Sequence, residues 1–576
     1  MRSRLVCLGL SAVFLILPML GLFAGNASAA AITREGVVSA TWDTLTANWI
    51  GDATVYTDGD DVTFDDTSAN TNSVSLVGTL QPGSVLVNAA RDYTFAGTGL
   101  LGGTTGIAKS GTGSLTISNA NTFSGVVNIN EGIVRLGNAA SLGSTVGGTV
   151  VNGGTTLSPG GTLDLFGTKT LDEQITVQGV GVDGKGVLIN TVSGTPVVNN
   201  LVLAGDATFG GSERVDIRGT PSFGNYTLTV DHTAVTTGNN NGVRITGSPT
   251  ILSHDLKNAN VVQGTLAFHN ATMGQAGGTV TVTHNPNTAN VTTLQIMRTI
   301  DYNTNWTLEK NLVFTGGRIH DWRGWYTLAG TMALNANEAV TQTEINVADY
   351  NTTYKTSISI SSLITGTGGI TKTGVGRLYL LGDNTYSGDT IVSAGTLFLG
   401  DSGSISDSPV IDVQTNATFN VSAVTGGFTL VDGQTLMGNG TVTGGVLAAD
   451  GSLIEPGASI GTLTVNGNLE LGGTLLVEYD GATIDKLVVN GDLDLGDGAF
   501  AFSPFGAALT EESYVFATFT GTRTGTAAAV APTGYAVAYD DDAKTVSLVV
   551  APIPEPSSFA LLFLGLIGLV AGRRRP

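Results

Sequence analysis

Few residues in this sequence have both the type and the spacing for chemistry. Gly457-Ala458-Ser459-Ile460-Gly461 fits the G-x-S-x-G pattern that raises a nucleophilic serine on a strand-to-helix turn. That serine needs a histidine later in the chain, yet His232, His254, His269, His284 and His320 all precede it, and the next residues read as strand. Gly179-Val180-Gly181-Val182-Asp183-Gly184 matches G-x-G-x-x-G, which binds a pyrophosphate only where a helix follows; Gly186-Val187-Leu188-Ile189-Asn190 continues as strand. With 81 glycines in 576 residues, both patterns arise by chance.

His254, His269 and His284 stand 15 residues apart. Three neutral imidazoles on neighbouring turns could ligate Zn²⁺ with an open fourth position. No His-x₃-His pair or adjacent carboxylate fixes that geometry, so the histidines are expected as exposed turn residues. Arg318, His320, Asp321, Trp322, Arg323 and Trp325 form the densest mixed cluster, suited to a carbohydrate-stacking patch or, the preferred reading, a packed irregular loop. Asp58, Asp60, Asp61, Asp65 and Asp66, and Asp540-Asp541-Asp542, could hold Ca²⁺ through carboxylate oxygens but lack the ordered spacing of an EF-hand, so solvated turn acids are expected. The sequence thus predicts no catalytic residue, no metal ligand and no cofactor, Ca²⁺ being the one ion with weak support.

The elements that would position these groups are short strands. Glycine is about 14% of the chain, against roughly 7% in ordinary globular proteins. Charged residues are 12%, too few for a long ion-paired helix, and 41% apolar residues are too many for a disordered polar chain. The 15 prolines without a Gly-X-Y period exclude collagen. The formal charge is −21; without residues 1–29 and 557–576, 20 basic and 46 acidic residues remain. Such a body repels phosphate backbones, which excludes nucleic acid as a partner. The one cysteine, Cys7, lies in the N-terminal apolar segment.

Both ends carry addresses. Arg2 and Arg4, the apolar run from Leu5 to Phe23 and the small-residue pattern Ala27-Ser28-Ala29 predict a signal peptide cleaved after Ala29 or one residue later, with the Sec machinery and signal peptidase as partners. At the other end, Pro554-Glu555-Pro556 precedes an apolar run over 557–572 and then Arg573-Arg574-Arg575. Arginines held in the cytoplasm predict a single-pass segment with the body outside, on a run shorter than the roughly 20 residues of a comfortable span.

Between the ends the chain repeats. Residues 106–137 (GIAKSGTGSLTISNANTFSGVVNINEGIVRLG) and 369–400 (GITKTGVGRLYLLGDNTYSGDTIVSAGTLFLG) align without a gap at an offset of 263 and agree at 13 of 32 positions. Leu463-Thr464-Val465-Asn466-Gly467-Asn468-Leu469-Glu470-Leu471-Gly472 recurs 24 residues later as Leu487-Val488-Val489-Asn490-Gly491-Asp492-Leu493-Asp494-Leu495-Gly496, with seven of ten identities. Apolar residues alternate with polar ones, and Asn-Gly supplies the positive φ of a tight turn. A period in the twenties is one coil of a parallel β-solenoid. The region of Trp42 and Trp49 reads as one cap, and Tyr514-Val515-Phe516-Ala517 with Gly534-Tyr535-Ala536-Val537 as the other.

The C-terminal element resembles the PEP-CTERM sorting signal of exported Gram-negative proteins, carried here by Pro554, Glu555, Pro556, the apolar run and Arg573, Arg574 and Arg575; Ile553 stands where that family often has Val. The resemblance implies that an exosortase recognises the tail, cuts near Pro-Glu-Pro after transient anchoring in the inner membrane, and releases the protein to the cell surface or extracellular matrix. The 32-residue units resemble the autotransporter-associated β-strand repeat, also called the passenger-associated transport repeat. The residues that carry this are Lys372-Thr373-Gly374, Leu378-Tyr379-Leu380, Asn384-Thr385-Tyr386-Ser387-Gly388 and Gly395-Thr396-Leu397. This implies a right-handed parallel β-helix. The 80 residues after Gly496 are too few for the outer-membrane barrel of an autotransporter, so the sorting signal is expected to take over that role.

The expected organisation is a signal peptide (1–29), an N-terminal β cap region (30–105), a first repeat (106–137), β-solenoid (138–368), a second repeat (369–400), a C-terminal β-solenoid and cap (401–550) and the sorting signal (551–576) with its membrane segment at 557–572. The expected function is that of a secreted, non-enzymatic surface or matrix protein acting in adhesion or biofilm structure, with extracellular polysaccharide as a candidate partner. The alternative is a polysaccharide-binding or polysaccharide-degrading β-helix enzyme, which would need carboxylates clustered in one lateral groove.

Overall fold

The computed structural model describes residues 29–552, other than 69–71, 168, 234–241, 248–253, 289, 300–303 and 349–355. The chain is all-β, a parallel solenoid of about 18 turns. Rungs ~4.8 Å apart make a column on the order of 85 Å long. Among the described residues the one helical element is a 3₁₀ turn at Val182–Gly184.

Alternation and period together produce this stack. In Thr462–Asn466, Leu463 and Val465 point inward, and one coil later Leu487 and Val489 lie directly on them in Lys486–Val489. The same column runs upward through Leu378, Leu397, Phe419, Val442, Val465 and Val489, all buried. Burying each such side chain contributes roughly 1.5–3 kcal/mol, and stacking makes every coil cover its neighbours.

Each coil has three faces. Ser84–Asn88, Tyr93–Gly97 and Leu100–Leu101 form one coil, and Val85 lies over Ile107, Phe95 over Ile117 and Leu80 over Leu101 in adjoining coils. These are the first, second and third faces in chain order. Corners change length along the column. The 15-residue strand Val197–Gly211 passes round all three faces, pairing successively with parts of Thr170–Gly179, Val215–Ile217 and Thr227–His232. The coil boundary therefore drifts. Ile107–Ser110 of the first repeat lies on the first face, and its counterpart Gly369–Thr373 lies on the third.

Antiparallel pairs close both ends. Ala31–Arg34 pairs antiparallel with Trp49–Gly51, and Ser513–Phe519 pairs antiparallel with Thr545–Val550, which forms a hairpin with Tyr535–Asp540. At the N-terminal end the buried Arg34 donates to the carbonyls of Thr41 and Ser39, both at 2.8 Å, and its guanidinium lies 5.5 Å from the Trp49 ring. Asn48 donates to the Thr41 carbonyl at 2.7 Å and accepts from the Ser39 amide at 2.9 Å. Side chains thus occupy edge groups that another strand would otherwise pair with. Beneath them Trp42 packs against Trp49, Tyr56, Phe64 and Phe95 with ring centroids 5.3–6.0 Å apart.

Asn48→Ala is expected to lower the stability of the first coils by about 1–2 kcal/mol and to promote end-to-end association. Hydrogen exchange at Thr41–Trp42 together with light scattering checks this; unchanged protection and a monodisperse species would contradict it.

Candidate functional site

The repeat's signature residues are corner clamps. Lys109 and Lys372 occupy inward columns, between Val87 and Ile129 and between Ile345 and Val392. The Lys109 ammonium donates to the carbonyls of Ser110 (2.8 Å), Gly111 (2.6 Å) and Glu131 (3.1 Å). That of Lys372 donates to Thr373 (2.9 Å), Gly374 (2.7 Å) and Ala394 (3.0 Å). The third acceptor belongs to the next coil, so the cation ties coil to coil and satisfies corner carbonyls that strand pairing leaves open. Burial pushes the ammonium down to about 8 in Lys109 and about 7 in Lys372, while three acceptors need three N–H groups and hold the last proton. Gly132 (φ 71°) and Gly395 (φ 68°), identical in the two repeats, leave room for this. A Cβ there would strike the carbonyls of Gly111 and Gly113, or of Gly374 and Gly376.

Asn121 and Asn384 bridge three coils. Each accepts from a backbone amide of the preceding coil, Leu101 at 2.9 Å or Ile364 at 3.0 Å, and donates to a carbonyl of the following one, Ser141 at 2.8 Å or Ser404 at 3.0 Å. Lys310 builds a third clamp on Leu256, Lys257 and Gln275 at 2.7–3.0 Å. It lies outside both repeats and its acceptors are 35–54 residues away, so no local pattern exposes it.

The motif-like segments are turns. Ser459 lies between the strands Leu453–Pro456 and Thr462–Asn466, with no helix after it. Gly179 ends Thr170–Gly179, and a single 3₁₀ turn separates it from Leu188–Asn190.

The histidines are not exposed turn residues, which corrects the expectation from the sequence. His232 is buried at the end of Thr227–His232, and neither ring nitrogen has a partner among the described residues. His254 is buried between Phe223 and Phe268, with ring centroids at 5.4 and 5.8 Å, and one ring nitrogen lies 2.9 Å from the Thr272 carbonyl. His269 ends a third-face strand and His284 follows a second-face strand, so the three evenly spaced histidines lie on different faces and share no site. Desolvation pushes His232, His254, His269 and His320 down to about 4.

Arg318, His320, Asp321, Trp322, Arg323 and Trp325 form neither one patch nor the expected irregular loop, since they lie in two regular strands, Arg318–Arg323 and Trp325–Leu328. Strand alternation turns Arg318 and His320 outward and Asp321 inward, while Trp325 opens the next coil on the first face. Asp321 sits in the column of Ile245, Phe268 and Ile296, where burial pushes its carboxyl well above the usual range. On the outer side, Asp216, Arg244, Ala267, Gln295, His320 and Asn346 are successive register partners. Asp216 pairs with Arg214 at 2.8 Å and Arg218 at 3.1 Å, and His320 lies 3.0 Å from the Asn346 side chain. Outward polar residues that are nevertheless buried are what sequence alternation missed.

The turn acids are engaged by neighbouring backbone. Asp60 accepts from Ala30 and Thr57, Asp58 from Gln81 and Asp66 from Ala90 and Arg91, while Asp541 pairs with Arg523 at 2.8 Å. Among the described residues, no three His, Cys, Asp or Glu side chains are grouped as a metal ion would require.

One open groove of about 630 Å³ lies beside the second face near the C-terminal end, lined by Leu447, Glu470, Asp492, Asp494, Thr522 and Thr524 among others. Asp492 accepts from the amide and hydroxyl of Thr522, both at 2.7 Å, which lowers its pKa. Asp494 accepts from Gly496. A general acid requires a raised pKa, and hydrogen bonds to the ionised form push the other way.

Lys372→Met should leave three corner carbonyls without their donor and cost about 3 kcal/mol or more, read as a lower unfolding midpoint and faster exchange in Thr390–Val392; a loss below 1 kcal/mol would refute the clamp. For His232, burial lowers the folded pKa, so its contribution is complete above about pH 6.5 and is lost as pH falls towards 4. Exchange in Thr227–His232, corrected for intrinsic rates, should therefore rise between pH 7 and 5, and His232→Leu should abolish that rise.

Ala29 is the first described residue and is exposed; Ala27, Pro554, Glu555, Pro556, Arg573, Arg574 and Arg575 lie outside the described residues. The passenger-associated-transport-repeat model matches residues 107–136 and 370–397, the two strand sets that carry the Lys109 and Lys372 clamps, and the PEP-CTERM protein-sorting motif matches 552–575. The chain is 27% identical over 303 residues to the adhesin BmaC autotransporter of Brucella suis biovar 1 (strain 1330), covering 51% of this chain and 7% of that protein. It is 41% identical over 70 residues to an extracellular serine protease of Serratia marcescens, covering 12% of this chain and 6% of that one. The chain thus spans only 6–7% of the length of these curated relatives. It is a β-solenoid that carries two passenger-associated-transport repeats and a PEP-CTERM protein-sorting motif, the marks of an exported, surface-associated protein.

Proposed function

We propose that the protein is a non-enzymatic adhesive or matrix component, a rigid column that presents its faces outside the cell. The observation that carries this is the solenoid itself: its buried lysines and asparagines hold coil to coil, and Asp492 and Asp494 in the groove near its C-terminal end accept from the neighbouring Thr522 and Gly496. Similarity to an autotransporter adhesin supports the adhesive reading. In this reading the Sec machinery exports the chain, signal peptidase cuts after Ala29 with Ala27 and Ala29 in its small-residue subsites, and residues 557–572 cross the inner membrane transiently. An exosortase then acts near Pro554-Glu555-Pro556, with Arg573, Arg574 and Arg575 holding the tail in the cytoplasm. Extracellular polysaccharide is the candidate ligand class, and nucleic acid is not one.

Fractionation of cells expressing the full chain in a host that carries the sorting peptidase, with intact-mass analysis of both termini, tests this. The expected product begins after Ala29 and lacks the tail, and joint replacement of Arg573, Arg574 and Arg575 by Ala shifts it to the membrane fraction. Equal surface yield with the tail deleted would overturn the sorting assignment. Turnover of a polysaccharide by the purified protein would overturn the non-enzymatic one.

A further inference from the structure

The second face changes character in the middle of the column. Five successive rungs, Thr227–His232, Asn258–Gln263, Thr279–Thr283, Asn311–Thr315 and Met332–Asn335, turn apolar residues such as Val230, Val261, Val282 and Phe314 into the core. Their other side chains face out and are half-buried or exposed, as on an open sheet. One outward row runs through Thr229, Asn260, Thr281, Val313 and Ala333, and a parallel one through Thr283, Thr315 and Asn335. A third holds Thr227, Asn258, Thr279 and Asn311, with the Asn258 side chain accepting from the Thr279 amide at 3.1 Å. Asp231 is the one charged side chain among the outward positions of these rungs.

These rows carry one charge in a chain whose charged residues are 12% of the whole, and it is their hydroxyl and amide groups that select the partner. A polyanion would find no cation on these rows, and a polycation would find a single carboxylate. A lipid surface needs an exposed apolar patch, whereas hydroxyl and amide groups predominate here. Strand addition is closed, because every one of these rungs is paired with rungs on both sides except at the column's ends. What remains is a ligand that is itself neutral, extended and periodic. Threonine and asparagine each offer donors and acceptors, threonine adds a methyl group, and the set recurs every ~4.8 Å, the scale of one monosaccharide.

We propose that this Thr/Asn face binds an uncharged polysaccharide chain lying along the column axis, with sugar hydroxyls meeting the Thr and Asn side chains and sugar C–H faces resting on threonine methyls and on Val313 and Ala333. Each sugar contact is weak, and affinity accumulates with the number of rungs engaged. This deepens the surface-protein reading, on which it rests for access to extracellular glycans, and it locates the contact away from the acidic groove.

The purified secreted protein, with its mature termini verified, is applied to insoluble β-1,4-glucan, to a soluble neutral β-glucan in affinity electrophoresis and to polygalacturonate. Retention by the neutral glucans and not by polygalacturonate is expected. Thr229→Lys/Thr281→Lys should weaken retention at least tenfold, and Asn260→Ala/Thr281→Ala, which adds no charge or bulk, should weaken it several-fold. Ser359→Lys, outward on the first face, should leave it unchanged. Circular dichroism establishes that each variant is folded. Retention by polygalacturonate alone, by nothing, or equally by all variants would overturn the proposal. So would a concentration-dependent dimer lost in Thr229→Lys/Thr281→Lys without glucan retention, which would give the face to a second copy. None of these outcomes bears on export, which the mass analysis of the termini decides separately.

Discussion

In-register stacking of parallel rungs is the constraint on which everything else depends. Each inward side chain has one neighbour above and one below, so a misfit is felt by two coils, and each corner must return the chain to the same register. Strand pairing satisfies the rungs but not the corners, and an unpaired buried carbonyl costs as much as a lost hydrogen bond. Lys109, Lys310 and Lys372 answer that cost with three donors on one atom, and Asn121 and Asn384 answer it with an amide that accepts from the preceding coil and donates to the following one. Gly132 and Gly395 are glycine because the clamp's acceptor carbonyls stand where a Cβ would be.

This explains what was legible in the sequence. Period-two alternation in Leu463-Thr464-Val465 and its recurrence 24 residues later state both the strand and the coil, and the structure pairs Leu463 with Leu487. The 32-residue repeat was legible as a unit but not as a clamp, since nothing local says that the Lys372 ammonium reaches the next coil's Ala394. Alternation misled where both sides of a sheet are covered: Val215–Ile217, Gly242–Thr246 and Thr293–Met297 are buried at every position, so outward residues such as Gln295 are packed away. The histidines were misjudged for a related reason. Polar type suggested exposure, whereas His232 and His254 fill core space as neutral rings. Asp321 likewise stands in an apolar column that its residue type gives no reason to expect.

A column built this way has little interior left for chemistry and a large exterior for contact. Its buried titratable groups are shifted by desolvation rather than by a partner poised to exchange protons, as Lys372 and His232 illustrate. The outward rows, by contrast, are fixed to the spacing of the backbone ladder and carry whatever residues selection places there. Charge varies from face to face, from the arginines around Asp216 to the uncharged rows of threonine and asparagine, so one scaffold offers several distinct surfaces.

A cross-link between adjoining coils tests whether the solenoid is one continuous stack in this register. Thr464 and Val488 are outward register partners 24 residues apart, and the one native cysteine, Cys7, lies outside the described residues. Adjacent rungs lie within the Cα separation that a disulfide spans. Under mild oxidation Thr464→Cys/Val488→Cys should close a disulfide nearly completely, while Thr464→Cys/Asn490→Cys, displaced along the strand by two residues, should stay reduced. Equal closure in both pairs, or none in the first, would contradict the stack.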